Sequence, residues 1–145
     1  MKILIISLLS AFLVASPWQT DIKTAEQIAQ TENKFILVNF SGSDWCGPCI
    51  RMHKEIFNSD VFTKFAADNL VLVNADFPRL KKNQLSAEQQ KKNDQMADAY
   101  NKNGIFPLTL LLTSDGKVLK KWEGYPNETP DQFTNEVKAL LDANK

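Results

Sequence analysis

Short apolar runs alternate along the chain with stretches whose apolar residues recur at helical spacing. Residues 35–40 form one run rich in β-branched and aromatic side chains, and residues 71–76 form another. Such runs, bounded by polar turn residues, are typical of buried strands. Residues 108–112 and 118–122 flank a short turn at Asp115-Gly116-Lys117, which predicts a hairpin. The pattern predicts a central mixed sheet of about four strands.

Helical segments precede, separate and follow these strands. Residues 20–33 have an amphipathic pattern that predicts an extra N-terminal helix outside the sheet, with Trp18 packed at its entry. Ser86 precedes Gln89, and Thr129 precedes Gln132, at the spacing of a capping box that begins a helix. Together with the strands, these helices predict an α/β domain.

The first fifteen residues have the features of an export signal. Lys2 precedes the apolar run 3–14, and the small residues Ala15 and Ser16 follow it. The run is short for a bilayer-spanning helix. We therefore predict a signal peptide at residues 1–15, a single domain at residues 16–145, and a periplasmic or other extracytoplasmic location. A membrane anchor formed by an uncleaved signal is the alternative.

Composition and charge narrow the classes of function. The 145 residues are 43% hydrophobic, which suits one globular domain with its own core. Lys plus Arg equals Asp plus Glu, so the formal net charge is zero. Without a basic excess, a nucleic-acid partner is not expected. We predict a monomer without a metal or another cofactor.

A polar segment near residues 79–94 separates the second strand from the helix that begins at Ser86. It is longer than a compact domain of this order requires, so it is interpreted as an insertion. One interpretation is a solvated extension of the helix. The other is a surface that docks a partner.

The only two cysteines, Cys46 and Cys49, lie where the first strand gives way to a helix. Unpaired N–H groups at a helix start favour an anion, so Cys46 is expected to be an exposed, reactive thiolate. Cys49 lies one turn further in and is expected to be buried. A structural disulfide is the alternative, although so short a loop would constrain the unfolded chain little. Zinc is disfavoured because His53 would supply only a third ligand.

The segment Trp45-Cys46-Gly47-Pro48-Cys49 resembles the active-site sequence of the thioredoxin family, and the resemblance extends from about Phe35 to the end of the chain. Phe106-Pro107 is similar to the family's cis-proline and the residue before it. The stretches around Ser41–Cys46 and Asp76–Arg79 look most like bacterial extracytoplasmic thioredoxin-like proteins of the disulfide-reductase and isomerase type. A thioredoxin fold is therefore implied.

The resemblance also implies roles for individual residues. Cys46 would attack a substrate disulfide and Cys49 would resolve the mixed disulfide. The substrate-binding surface would consist of Trp45, Gly47, Pro48, Phe106 and Pro107.

Two further residues could tune the cysteine pair. Asn39 occupies the position where the family's reductases usually carry a buried aspartate, and an amide cannot take up a proton at neutral pH. His53 follows Cys49 by four residues, on the same helical face. It could point beneath the disulfide or simply pack against its neighbours.

These observations predict an exported thiol–disulfide oxidoreductase that reduces or isomerises disulfides in proteins or peptides. An upstream thiol would supply its electrons. One alternative is an oxidant that donates disulfides. The other is a redox-sensing binding module that docks its partner through residues 79–94.

Overall fold

A computed structural model describes residues 16–145. The predicted signal peptide and its alternative, an uncleaved anchor, lie outside these residues. Within them, no helix is both long and apolar enough to cross a membrane. The regular elements are, in order, β1 Trp18–Gln19, α1 Ile22–Glu32, β2 Phe35–Ser41, α2 Gly47–Met52, α3 Asp60–Asn69, β3 Leu70–Asp76, α4 Ala87–Tyr100, β4 Leu108–Leu112, β5 Val118–Glu123 and α5 Pro130–Ala143.

The described strands form one mixed sheet in the order β1-β3-β2-β4-β5. β2 and β3 run parallel, whereas β4 and β5 form the antiparallel hairpin that the sequence predicts. The sheet has five strands, whereas the sequence predicts about four. Trp18 does not simply pack at the entry of α1, because Trp18 and Gln19 pair with Leu72 and Val73 at the edge of the sheet. A two-residue strand leaves no alternating pattern to recognise in the sequence.

Side-chain alternation divides the core between the two faces of the sheet. Ile36, Val38 and Phe40 face α1 and α4, in a cluster that includes Ala25 and Met96. Leu37 faces the opposite way, toward the cluster built on the motif helix, α3 and α5. Asn39 shares its parity with Leu37, so its side chain also points toward the motif helix. This parity is why a polar residue in an apolar strand can reach His53 at the end of the motif helix.

The predicted helix starts are correct, but only one capping box is complete. Thr129 and Gln132 exchange both hydrogen bonds at the start of α5. Ser86 accepts from the Gln89 amide, whereas the Gln89 side chain turns away and donates to the backbone oxygen of Thr20 and to Asn93. Gln89 therefore ties α4 to the turn before α1.

The polar segment 79–94 is half loop and half helix. Its first half contains a single 3-10 turn at Lys81–Asn83, and its second half is the beginning of α4. Asn93 in the second half is buried and donates to the backbone oxygen of Asp76. The segment is thus fastened to the domain at several points.

Candidate functional site

The two cysteines lie at the turn that connects β2 to α2, as the sequence predicts. Cys46 is the N-cap residue of α2, and Pro48 lies in its first turn, where a missing N–H is tolerated. The backbone amide of Cys46 donates to the oxygen of Gly42 at 2.9 Å, which closes the turn. Beyond Met52 the helix continues as one π-helical turn, His53–Phe57.

Cys46 and Cys49 form a disulfide, with Cα atoms 5.2 Å apart. The Sγ atom of Cys46 accepts a hydrogen bond from the Cys49 amide at 3.3 Å. Cys46 is 5% exposed and Cys49 is 1% exposed. The exposure expected of the Cys46 thiolate concerns the reduced pair; in this disulfide form the bridge holds the Cys46 sulfur against the first helical turn. Cys46 is nevertheless the more accessible of the two.

The residues between the cysteines are open to solvent. Gly47 and Pro48 are both exposed. A Cβ atom added at Gly47 would meet no other atom within 4 Å. The surface above the disulfide is therefore free for an approaching chain.

Trp45 is fixed beside the motif by three contacts. Its indole Nε1 donates to the backbone oxygen of Phe77 at 2.7 Å. Its ring meets Phe106 edge to face, with centroids 5.5 Å apart. Its inner side lies on Gly42, where any Cβ would collide with the indole. Glycine at this position is a requirement of the close approach rather than of backbone conformation.

Phe106 and Pro107 lie immediately before β4, and the peptide bond between them is cis. Phe106 is half-buried and also contacts Phe77 edge to face, at 5.5 Å between centroids. Pro107 is buried. Fold topology thus brings residues 45 and 106 together although they are far apart in the sequence.

Asn39 and His53 are hydrogen-bonded to each other beneath the motif. Asn39 is fully buried, and its Nδ2 donates to Thr109 Oγ1 on the adjacent strand at 3.0 Å. Its Oδ1 lies 3.0 Å from His53 Nε2. Because Nδ2 is engaged by Thr109, Oδ1 is the acceptor and His53 Nε2 carries the hydrogen, which leaves the lone pair of neutral histidine on Nδ1. The hypothesis that His53 reaches under the cysteine pair is consistent with this geometry.

The surroundings of His53 favour its neutral form. Its ring packs against Trp18 and Phe57, with centroids 5.2 and 5.1 Å away. Burial lowers the pKa of His53, and the carboxylate of Asp76 opposes this shift. Trp18 was not predicted to contribute here, because its contact depends on strand β1.

A cavity of about 340 Å³ lies beside Cys49 and His53. Most of its lining residues have polar side chains, and they include the residue that ends the π-helical turn and residues near the ends of β2 and β3. The remaining lining residues are Ser41, Ser43, Ile50, Lys54, Asn58 and Asn74. The cavity brings polar side chains from three elements next to Cys49, which no single sequence motif indicates.

Two residues beside the motif were missed as components of the site. The carboxylate of Asp44 accepts from the backbone amides of Arg79 and Leu80, both at 2.9 Å, and from Asn83 Nδ2 at 3.0 Å. The hydrogen bond from the Arg79 amide is the main reason that the pKa of Asp44 is lowered. The Arg79 guanidinium lies over the Trp45 ring, 3.6 Å from its centroid. Only the position of Asp44 next to the motif could have suggested this.

A CxxC disulfide at the start of a helix, on this sheet topology, defines a thiol–disulfide oxidoreductase. Comparison with known families is consistent with that class, since the thioredoxin-like domain family matches residues 22–141. The chain belongs to this family.

Two similar proteins come from the bacterium Chlamydia pneumoniae. The disulfide bond reductase DsbH of Chlamydia pneumoniae is 33% identical over 124 residues, which cover 86% of this chain and 72% of DsbH. The solved structure of a DsbH oxidoreductase is similar to this structure, with a TM-score of 0.77 and 32% sequence identity. The similarity covers 86% of this chain and 83% of that one. The thioredoxin-related protein DsbJ of Chlamydia pneumoniae is 29% identical over 87% of this chain but only 35% of DsbJ.

A disulphide isomerase from Xylella fastidiosa Temecula1 matches with a TM-score of 0.61 and 20% identity, covering 90% of this chain and 97% of that one. At that identity the likeness supports the fold alone. The thioredoxin fold expected from the sequence is confirmed.

Proposed function

We propose that this protein is an exported reductase of disulfides in proteins or peptides. The observation that carries the proposal is the Cys46–Cys49 disulfide, in which the more accessible sulfur caps the helix and the other is buried one turn inside. The name of the relative DsbH, a disulfide bond reductase, supports the reducing direction. The signal-like segment at residues 1–15 supports an extracytoplasmic location.

The reaction transfers two electrons from the reduced pair to the substrate. The Cys46 thiolate attacks one sulfur of the substrate disulfide, and the other substrate sulfur leaves as a thiolate. The Cys49 thiol then loses its proton and attacks Cys46 Sγ, which expels the second substrate thiolate and forms the Cys46–Cys49 disulfide. Both substrate thiolates gain protons from solvent or from nearby groups. An upstream protein dithiol restores the reduced pair.

His53 assists the second step by receiving the Cys49 proton. The neutral ring has a free lone pair on Nδ1, because Nε2 donates to Asn39. The cavity borders both Cys49 and His53 and is lined by several polar side chains, so it has room for a water that relays the proton. Asn39 acts as a positioning residue, because its amide fixes the orientation and tautomer of the ring.

The substrate chain lies across the open surface formed by Gly47 and Pro48, between Trp45 and the segment Phe106-Pro107. The exposure of residues 47 and 48 and the fixed orientation of Trp45 support this placement. An extended peptide there would bind beside the sulfur of Cys46, as in other cases of strand-like peptide recognition.

The test is a paired measurement of activity and potential. Catalysed reduction of insulin by a chemical dithiol should require both cysteines, so Cys46→Ser and Cys49→Ser variants should each abolish it. Equilibration with glutathione should give a potential near that of reductases, about −270 mV, rather than about −120 mV as in a strong oxidant.

A potential near the oxidising end, with no insulin reduction, would favour the alternative of a disulfide donor. Lack of thiol–disulfide exchange in either direction would favour the binding module instead. The Cys49→Ser variant also provides a trap, because a substrate held on Cys46 cannot then be released by the second cysteine.

A further inference from the structure

The Arg79 guanidinium is stacked on Trp45, the residue that directly precedes Cys46. Its central carbon lies 3.6 Å from the ring centroid, which is a close cation–π contact. Stacking occupies the flat face of the guanidinium and leaves its N–H edges available. Within residues 16–145, Arg79 makes no salt bridge, and none of the hydrogen bonds there has its side chain as donor.

Both members of this stack are held from behind. Trp45 is fixed by its hydrogen bond to Phe77 and by its close approach to Gly42. Arg79 is fixed through its backbone, since the Asp44 carboxylate accepts from its amide and from that of Leu80. The cation is therefore presented at a defined place beside the cysteine pair, with less conformational freedom to lose when it binds a partner.

The same loop presents further exposed groups. Lys81 and Lys82 are exposed and also lack a carboxylate partner within salt-bridge distance in the described part of the chain. Leu80, between them and Arg79, is 48% exposed. Because the whole chain has a formal net charge of zero, this positive group is a local feature and not a consequence of overall charge.

We infer that Arg79, stacked on Trp45, selects disulfide substrates that carry a carboxylate next to the attacked cysteine. This inference rests on the proposed function and names its preferred substrate class, acidic peptide segments. A guanidinium whose edges are free can bind a carboxylate through two parallel hydrogen bonds. Lys81 and Lys82 add attraction of longer range, which accelerates encounter.

The test compares three peptide disulfides that differ only in the residue after the reactive cysteine, which is Glu, Gln or Lys. The measured quantity is the second-order rate constant for mixed-disulfide formation on Cys46 in the Cys49→Ser variant. At low ionic strength the Glu peptide should react about three- to fivefold faster than the Gln peptide, and the Lys peptide should be slowest. The differences should shrink in about 0.5 M salt, because screening weakens exposed charge pairs.

Three variants separate selection from general effects. Arg79→Gln should remove most of the preference for Glu over Gln, leaving only the weak contribution of Lys81 and Lys82, and Arg79→Glu should make the Lys peptide the fastest. Lys91→Gln is the matched control, since it removes one exposed positive charge from α4 and should preserve the order. Thermal unfolding of each variant confirms that the domain is folded.

The inference is overturned if the Cys49→Ser protein with Arg79 intact shows no order among the peptides, or if the order is undiminished once Arg79→Gln is added. It is also overturned if Arg79→Gln slows all three peptides equally, because Arg79 would then affect the general reactivity of Cys46 and not the choice of substrate. The proposed function has a separate readout, namely turnover of the Gln peptide by the intact pair with a chemical dithiol. If the Gln peptide is turned over but the three peptides react at equal rates, only the proposed selection by Arg79 is refuted. If the peptides react in the expected order but the intact pair does not turn over the Gln peptide, only the proposed reductase activity is refuted.

Discussion

The half-buried position of His53 predicts a specific dependence of stability on pH. The pKa of His53 is lowered in the folded protein, chiefly by burial, below its usual value of 6.5. His53 is the only histidine of the chain, so no other side chain of its type titrates in this range. The perturbation is a decrease in pH from about 8 to about 5, applied to the disulfide form.

The sign follows from proton counting. Between the lowered folded pKa and about 6.5, the unfolded chain binds more protons at this position than the folded chain. The free energy of unfolding is therefore fully retained above about pH 6.5 and decreases as the pH falls toward the folded pKa. One proton sets an upper limit of about 1.4 kcal/mol per pH unit on the slope. The Asp76 carboxylate opposes the shift, so the observed slope should stay below this limit.

Urea unfolding at a series of pH values gives the required free energies, and His53→Gln is the matched variant. Glutamine does not titrate, and its amide can still donate to Asn39. The wild-type protein should lose stability between about pH 6.5 and pH 5, while the variant should change much less over the same interval. If the two curves run parallel, or if the wild-type curve is flat there, the lowered pKa of His53 in the folded protein is refuted.

Three further predictions address the cysteines and the loop beside them. In the reduced protein, brief iodoacetamide treatment should label Cys46 before Cys49, as measured by peptide mass mapping; first labelling of Cys49 would reverse their roles. Asn39→Asp should accelerate insulin reduction, by up to about tenfold, because a carboxylate beside His53 strengthens the proton acceptor under Cys49. An unchanged rate over a pH series would show that proton transfer there does not limit turnover. Asp44→Ala should release the backbone at residues 79 and 80 and hasten tryptic cleavage after Arg79, whereas unchanged cleavage kinetics would mean that the loop is held without Asp44.

The local elements of this protein could be predicted from sequence because their signals are local. Alternation and apolar runs identify the strands at residues 35–40 and 71–76, and the pair Thr129 and Gln132 identifies the start of α5. The reactive pair could be recognised for the same reason, since its chemistry requires two cysteines separated by a single helical turn. These predictions depend on residues fewer than ten positions apart.

The contacts that surround the cysteine pair join residues distant in the sequence, and only the tertiary structure determines them. Asn39 meets Thr109 because β2 and β4 pair in that register. Arg79 reaches Trp45 because a surface carboxylate holds its loop. A register or a loop path is the outcome of packing over the whole domain, and a change of one residue in register would turn the Asn39 partner to the other face of the sheet. The sequence alone therefore determined where the cysteine pair lies in the fold, while the packing of the sheet decided which groups surround it.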